Sequence, residues 1–475
     1  MSYSSKLVRG ALRYRTAKTL ESVLGTNISA DPDGSSSSAA SRLKLHPCFL
    51  SLPALALPAQ LDRAAINYLR EHSLSSPKAI ESRAELMNNY LWSRQLSFDT
   101  QAIHRTLSSD GGVPEIGNVD ACDPELAQAV ECHPEEQLTQ IRKGALRKMK
   151  QEALDEWKSI TYSGHNCELY LTARLAPNFA SVCRVLYEIR KRCPKFIPRN
   201  LFDFGSGLGT VTWAVNTVWP VGCVKEHLMF EPSADMTRLS EFMLQKNLVV
   251  KSPETIFPGV YHRRFLPANS QQYDLVVSAH SLMELPGTKS RHRVLSNLWN
   301  KTSDFLVLVE QGTKAGFTAI LEARDWLVTE GGGDVFFFAP CPHKLICGKA
   351  DSVCNISVQY YPFGLTVEKN EPSTELISYL VVSRGDWRRH QSPVIEEDPQ
   401  FLPRLVSYGL NSEKVLVHDI CLPDGNVERT SFSKKSTDKP LYYYLRHAKA
   451  GDILPCVQRT DFEMDGMPDP VVNED

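Results

Sequence analysis

The chain has 475 residues, 42% of them hydrophobic and 23% charged, with a formal net charge of −2, a globular composition on the scale of two or three domains. The near-zero charge excludes a uniformly basic nucleic-acid binder and leaves room only for a local basic patch. No run approaches the roughly 18–20 consecutive apolar residues of a membrane-spanning helix, and twelve irregularly scattered cysteines fit a reducing compartment rather than a disulfide scaffold.

The amino terminus carries Lys6, Arg9, Arg13, Arg15 and Lys18 with Ser2, Ser4 and Ser5, and no acid before Glu21. This is the composition of a mitochondrial transit peptide over residues 1–25, a disordered basic terminus being the alternative. Residues 26–42 include Ala30 to Ser41, ADPDGSSSSAAS, which has too little apolar surface to pack and is expected to be a flexible linker.

Residues 43–197 form a helical region. From about Leu57 to Lys195 apolar residues recur at three and four, as in Leu61, Ala64, Ala65, Tyr68 and Leu69. Pro134 to Trp157, with Leu138, Ile141, Leu146 and Met149 among many charges, predicts an amphipathic surface helix that Ser159 to His165 ends.

After Pro198 short apolar runs alternate with helical segments: Asn200–Phe204, Leu228–Glu231, Tyr273–Ser278, Phe305–Glu310 and Leu376–Ser383. Strands alternating with helices over residues 198–400 predict βαβ units and a mostly parallel sheet. Residues 401–458 read as a β-rich extension, since KVLVHDICL and NVERTSFS flank Pro423-Asp424-Gly425 as a hairpin. Residues 459–475 are an acidic tail expected to be disordered.

The first of these strands ends in Asp203-Phe-Gly-Ser-Gly-Leu-Gly209 and runs into a helix from Thr210. Three glycines there place unhindered backbone at the carboxyl edge of the sheet, where open α/β sheets bind ligands. The spacing of Gly205, Gly207 and Gly209 is tighter than the dinucleotide fingerprint. It resembles that of class I S-adenosylmethionine-dependent methyltransferases, a Rossmann-like α/β fold in which the loop meets the amino-acid end of S-adenosylmethionine.

Glu231 follows the next strand, 28 residues after Asp203, where a carboxylate can accept both ribose hydroxyls. Asp274 heads the strand whose following loop, Ser278 to Glu284, is expected to line the pocket, and it completes the expected cofactor set. No catalytic motif accompanies the fold. The segment Ser278-Ala-His280-Ser lacks the Pro-Pro-aromatic signature of exocyclic-amine methylases, and the Pro-Cys pairs at Cys48, Cys341 and Cys456 do not mark a cytosine-methylase nucleophile. His280 is a candidate base only in that it titrates near neutral pH.

Cys341, Cys347 and Cys354 fall within fourteen residues among Pro and Gly, a spacing suited to a soft metal. Cys421, at the strand end before the Pro-Asp-Gly turn, is the expected fourth ligand. Zinc on three cysteines and His343 is an alternative, as is a set of buried, unligated thiols.

The glycine loop, the preceding Tyr170-Leu-Thr-Ala-Arg-Leu-Ala-Pro177 and the Pro-Cys-Pro-His segment together resemble the mitochondrial methyltransferase-like protein 17 family over roughly Cys167 to Cys421. The segment PHKLICGKADSVC departs from the family in lacking a second Cys-Pro. The resemblance implies a mitochondrial-matrix factor that assists maturation of the small ribosomal subunit and contacts its rRNA, with a [4Fe-4S] cluster on Cys341, Cys347, Cys354 and Cys421. Methyl transfer on rRNA and a zinc-stabilised protein methyltransferase without RNA contact are the two open alternatives, and neither a membrane nor DNA is an expected partner. Arg384, Arg388, Arg389 and His390, then Lys434, Lys435, Lys439, Arg446 and Lys449 interleaved with Tyr442, Tyr443 and Tyr444, suit phosphate contact with base stacking.

Overall fold

The computed structural model describes residues 48–96, 160–246, 254–266, 270–366, 370–391, 402–412 and 414–455. The transit peptide, the linker, the charged helix of Pro134 to Trp157 and the acidic tail lie outside the described residues. No described helix is long and apolar enough to cross a membrane.

Among the described residues, three helices precede the sheet: α1 (Ala59–His72), α2 (Pro77–Ser93) and α3 (His165–Arg192). Ser76 caps α2 by accepting from Ala79 N, with Pro77 at the first helical position, a pairing that satisfies orphan donors and presets φ. The 28-residue α3 is buried along most of its length, which makes it the spine against which the sheet, α2 and the carboxyl-terminal part pack.

The alternating segment then gives β1 (Asn200–Phe204), α4 (Thr210–Val218), β2 (Glu226–Phe230), α5 (Ala234–Met243), β3 (Val260–Arg263), β4 (Tyr273–Ala279), α6 (Thr288–Asn300), β5 (Thr302–Gln311) and α7 (Lys314–Glu330). It continues with β6 (Val335–Ala339), β7 (Ile356–Tyr360) and β8 (Ser373–Arg384). The sheet runs β3-β2-β1-β4-β5-β8-β6, with β7 also paired to β8. β1 to β5 are mutually parallel, and β8 enters antiparallel between β5 and β6.

A parallel sheet that reverses order between β1 and β4 and closes on one antiparallel strand has the architecture of a class I methyltransferase. Its central strands are buried on both faces, hence near-continuous runs such as Phe305–Val309. One apolar layer unites α1, α3, α4 and α5 with one face, and a second unites α6 and α7 with the other.

The extension is a separate antiparallel sheet of β9 (Arg404–Asn411), β10 (Val415–Cys421) and β11 (Val427–Ser433), followed by α8 (Lys439–His447). The predicted hairpin is present. Gly425 N donates to Leu422 O, Asn426 N to Asp424 Oδ1, and Gly425 takes φ +90°.

The extension has its own core, and Cys48, Phe49 and Leu50 belong to it. Residues at the head of the helical region therefore pack instead on the carboxyl-terminal unit, fixed by Ile453 N to Cys48 O and Leu50 N to Asp452 Oδ1. Four strands were not expected from the sequence pattern: β3, β6, β7 and β9. β3 is only four residues and half exposed, which leaves little hydrophobic period to detect.

Candidate functional site

The glycine loop is tied down first by its backbone. Gly205 N and Ser206 N both donate to Phe230 O at 2.9 Å, and Gly209 N donates to Ser206 O at 2.7 Å. Gly205, Gly207 and Gly209 have φ of +70°, +47° and +75°, a region closed to most side chains. A Cβ on Gly205 would lie 2.2 Å from Ser281 Oγ, so the loops after β1 and β4 meet at this residue.

Two carboxylates face the loop. Glu231 accepts from Gly207 N at 3.0 Å through Oε2 and from Ser233 N at 2.9 Å through Oε1. An ionised carboxylate has about four acceptor sites, which leaves sites for a vicinal diol. Burial raises its pKa, against those two hydrogen bonds. Asp203 is fully buried, and neither of its oxygens has a partner among the described residues. Burial, and next the Glu231 charge, hold it well above the usual carboxylate range. A buried orphan acceptor beside an open glycine cradle fits the ammonium and ribose of an amino-acid nucleoside.

Asp274 does not belong to this set. It starts β4 at the amino-terminal edge of the sheet, level with Asn200, where it accepts from Arg199 N at 2.8 Å and Ser303 Oγ at 3.4 Å. The ligand edge lies at the other end of a seven-residue strand, roughly 16 Å away at 3.3 Å per residue.

The space beyond the loop, where a methyl acceptor would approach, is filled. Arg94 Nη1 meets Glu284 Oε1 at 2.6 Å with the guanidinium 4% exposed, and the Tyr162 hydroxyl donates to the same oxygen at 3.1 Å. Arg174 Nη2 meets Glu375 Oε1 at 2.6 Å. Among the described residues, the cavity between Arg94, Tyr170, Arg174, His280 and Glu284 measures about 10 Å³, room for about one water.

His280 stands here with φ +55° and both ring nitrogens buried without a partner among the described residues. Burial, then Arg174 and Arg94, push it well below its ordinary value, so the ring is neutral. Glu310, at the carboxyl end of β5, accepts from Leu282 N at 2.7 Å, and burial pushes it up to about 7. Glu310 ends an expected strand as Glu231 does, so the same positional rule would have flagged it. The Arg94–Glu284 pair spans 190 residues and has no local signal.

The four cysteines come from two places: Cys341, Cys347 and Cys354 from the connection between β6 and β7, and Cys421 from the end of β10. The loop rests on the hairpin turn. A Cβ on Gly348 would lie 2.6 Å from Gly425 O, so glycine permits the approach. Arg324 of α7 donates to His343 O at 3.3 Å and also to Leu345 O; Ser378 Oγ donates to Cys354 O at 2.8 Å.

All four are free thiols, and each of Cys341, Cys354 and Cys421 is raised by burial first and also by its neighbours in the set, Cys354 to about 12. Cys421 Sγ lies 3.5 Å from His343 Nε2, and burial and Arg324 push that imidazole down to about 4. Among the described residues no group of three or more His, Cys, Asp or Glu is closed around a single ion. The thiols are gathered within electrostatic range of one another without converging on a point.

The basic segments divide. Arg384 donates to Thr302 O and Trp299 O, Arg388 pairs with Asp386, and Arg389 and His390 share Asp304. These groups are engaged internally, and Tyr442 and Tyr444 are core residues, so the expected RNA role does not extend to them. Lys434, Lys435, Lys439, Arg446 and His447 are exposed, and the Tyr443 ring lies 4.5 Å from the His447 ring, tilted by 47°.

The family described as Mitochondrial small ribosomal subunit Rsm22 matches residues 165–455. The human Ribosome assembly protein METTL17, mitochondrial, is 33% identical over 434 residues, 90% of this chain and 88% of its own. The Rsm22-cox11 tandem protein 2 of Schizosaccharomyces pombe is 22% identical over 301 residues, 54% of this chain and 38% of its own. Among solved structures, a putative RNA methyltransferase PH1948 from Pyrococcus horikoshii aligns at 9% identity and a TM-score of 0.26, over 50% of this chain and 98% of its own. With the matched span running from the start of α3 to just past α8, and so enclosing both the glycine loop and all four clustered cysteines, the chain belongs to the mitochondrial small ribosomal subunit Rsm22 family.

Proposed function

We propose that the protein is a mitochondrial-matrix assembly factor for the small ribosomal subunit that holds S-adenosylmethionine as a bound ligand and carries a metal centre on its cysteines. The observation that carries this reading is the filled acceptor side: among the described residues Arg94, Glu284, Tyr170 and Arg174 leave about 10 Å³ beside His280. A nucleobase has no room there, while the glycine cradle and the carboxylates of Asp203 and Glu231 suit the cofactor. In class I methyltransferases the bound cofactor supplies an electrophilic methyl group. In this chain Glu231 would hold the ribose hydroxyls, Asp203 the amino-acid end, and the closed acceptor side would keep water and substrate away.

The metal reading rests on the chemistry of the donor set: four free cysteines within electrostatic reach of one another. They suit a [4Fe-4S] cluster on Cys341, Cys347, Cys354 and Cys421. Zinc is the second reading. The 3.5 Å between Cys421 and His343 equals the span of about 3.5 Å that a thiolate and an imidazole subtend on one zinc at bond lengths of roughly 2.3 and 2.05 Å. For rRNA, the exposed face of Lys434, Lys435, Lys439, Tyr443 and Arg446 supplies phosphate contacts and one stacking ring.

The test is complementation of cells lacking the protein. Gly205→Arg should abolish S-adenosylmethionine binding by calorimetry, and loss of small-subunit assembly in that variant without loss of any methylated rRNA position supports the ligand role. Methyl incorporation into rRNA by the wild type, raised by Arg94→Ala, would sink it and favour an active methyltransferase with Glu310 as the proton acceptor.

A further inference from the structure

Beside the cysteines lies a buried excess of positive charge. Glu188, on α3 and fully buried, takes three guanidinium groups: Arg404 Nη2 at 2.7 Å and Arg192 Nη1 at 2.9 Å on Oε1, and Arg184 Nη1 at 3.2 Å on Oε2. The Tyr379 hydroxyl donates to Oε2 at 2.9 Å. None of the three arginine side chains is more than 4% exposed. Asp452, also buried, is the second acid within electrostatic reach of Arg184 and Arg404, so two carboxylates face three guanidinium groups. Uncompensated charge in such a setting is strongly unfavourable. A further anion is required nearby.

Arg404 points to where it sits. It pairs directly with Cys421 across β9 and β10, and directly opposed residues of an antiparallel pair project from the same face with Cβ atoms roughly 4.5–5.5 Å apart. On the far side of the cysteine loop Arg324, 4% exposed, is held by two backbone carbonyls and by the exposed Asp325 at 3.4 Å. Neutral thiols leave this arrangement unbalanced. Thiolates on a metal balance it, because the ligands' negative charge exceeds the metal's positive charge in a four-iron cluster and in a zinc site of three thiolates and an imidazole alike.

We infer that Arg404 is the counter-charge of an anionic metal–thiolate centre on Cys341, Cys347, Cys354 and Cys421, and that through Glu188 it ties occupancy of that centre to helix α3. The inference rests on the reading that these cysteines hold a metal, and holds for either metal. Arg404 bridges the two parts by geometry: one terminal nitrogen on Glu188 of α3, the other on Gly451 O of the extension at 2.8 Å, and its strand partner is a ligand. It is a positioning residue whose charge acts on the centre without ligating it.

The test uses full-length protein purified without oxygen, as wild type, Arg404→Gln, Arg404→Lys and Glu188→Gln, with iron, sulfide and zinc measured first. If iron is present, removal of the cation should move the midpoint potential of the centre in Arg404→Gln to more negative values, since reduction adds negative charge that the guanidinium stabilises. Arg404→Lys should stay near wild type, and Glu188→Gln should shift in the opposite sense. Opposite signs separate a charge effect from simple loosening. If zinc is present, chelator extraction should be several-fold faster in Arg404→Gln and slower in Glu188→Gln. Hydrogen exchange over Arg184 to Arg192 should accelerate when wild type is stripped of metal.

Unchanged potential or extraction in Arg404→Gln, shifts of the same sign in both variants, or exchange in α3 indifferent to metal would overturn the inference while leaving the metal reading intact. If Arg404→Gln does not accumulate, Glu188→Gln and Arg404→Lys decide it on the same signs. A wild type that contains no metal overturns both.

Discussion

The glycine pocket and the cysteine site solve the same problem, positioning several groups around a ligand, over very different distances in sequence. The pocket draws Asp203, the three glycines and Glu231 from one βαβ unit, with register pairs such as Asp203 to Met229 fixing them. The cysteine site needs Cys421, on a separate sheet, to meet a loop about 70 residues earlier, and its fit depends on Gly348 passing Gly425 O. A pocket made by adjacent strands is complete before any ligand arrives. A site made by docking two units is gathered by the fold and closed by what binds. Ligand removal should therefore leave the first in place and loosen the second.

The largest effect tests that contrast. Cys347→Ser or Cys421→Ser should lower the melting temperature steeply and expose the extension to protease, because metal-binding free energy, on the order of 10 kcal/mol for structural sites, contributes directly to folding. Gly205→Arg in the same assay should leave the extension protected. Equal melting temperatures in Cys421→Ser and wild type would remove the distinction between the two regions.

The legibility of the two regions follows the same division. The strand ends and the glycine loop were readable because β1, β2, β4 and β5 carry unbroken apolar runs and the loop's spacing has a local cause. Asp274 was misplaced because heading a strand and ending it look alike along a sequence, while the sheet separates them by the strand's whole length. The cysteine spacing was readable, and so was the Pro-Asp-Gly hairpin. Arg404 against Glu188, and Arg94 against Glu284, were not: these pairs join residues 216 and 190 positions apart, and nothing local marks either partner. Tyr442 and Tyr444 group with the half-buried Tyr443 in sequence because the sequence does not show that a helix turns two of the three fully inward.

A second, smaller effect separates the acceptor side from the cradle by pH. Glu310 has its pKa raised from an ordinary 4.5 to about 7. The folded state therefore binds a proton that the unfolded chain has released, and this contribution to stability is complete below pH 4.5 and lost as pH rises to 7. The span corresponds to about 3 kcal/mol. Buried imidazoles such as His227, pushed down to about 4, act in the opposite sense, so the readable quantity is the difference between variants. Glu310→Gln should gain on wild type between pH 5 and 7.5 in thermal melts, and parallel curves would show that Glu310 is ionised throughout.

Smaller still is Gly205→Ala. The φ of +70° and a Cβ 2.2 Å from Ser281 Oγ predict a loss of about 1–3 kcal/mol, part of it relieved if the serine rotates. Ser281→Ala in the same background should recover some of it in chemical denaturation; no recovery would mean that backbone strain, not the contact with the loop after β4, dominates.

The least effect on stability is expected where the proposed effect on binding is largest. Lys439 and Arg446 lie exposed on α8, whose other face buries Tyr442, Tyr444 and Leu445. Replacing both with Ala should change stability by no more than about 0.5 kcal/mol, as for surface positions generally. If the face meets rRNA phosphates, the slope of log affinity against log salt on single-stranded RNA should fall by about 0.7 for each phosphate no longer neutralised. Arg384→Ala supplies the opposite pattern, since its guanidinium holds the carbonyls of Thr302 and Trp299 at 2.8 and 2.7 Å and covers the Trp299 ring: stability falls and the salt slope stays. If instead both variants change the slope equally, the RNA surface reaches from α8 to the edge of the main sheet, and the division between internally engaged and solvent-facing basic residues is wrong.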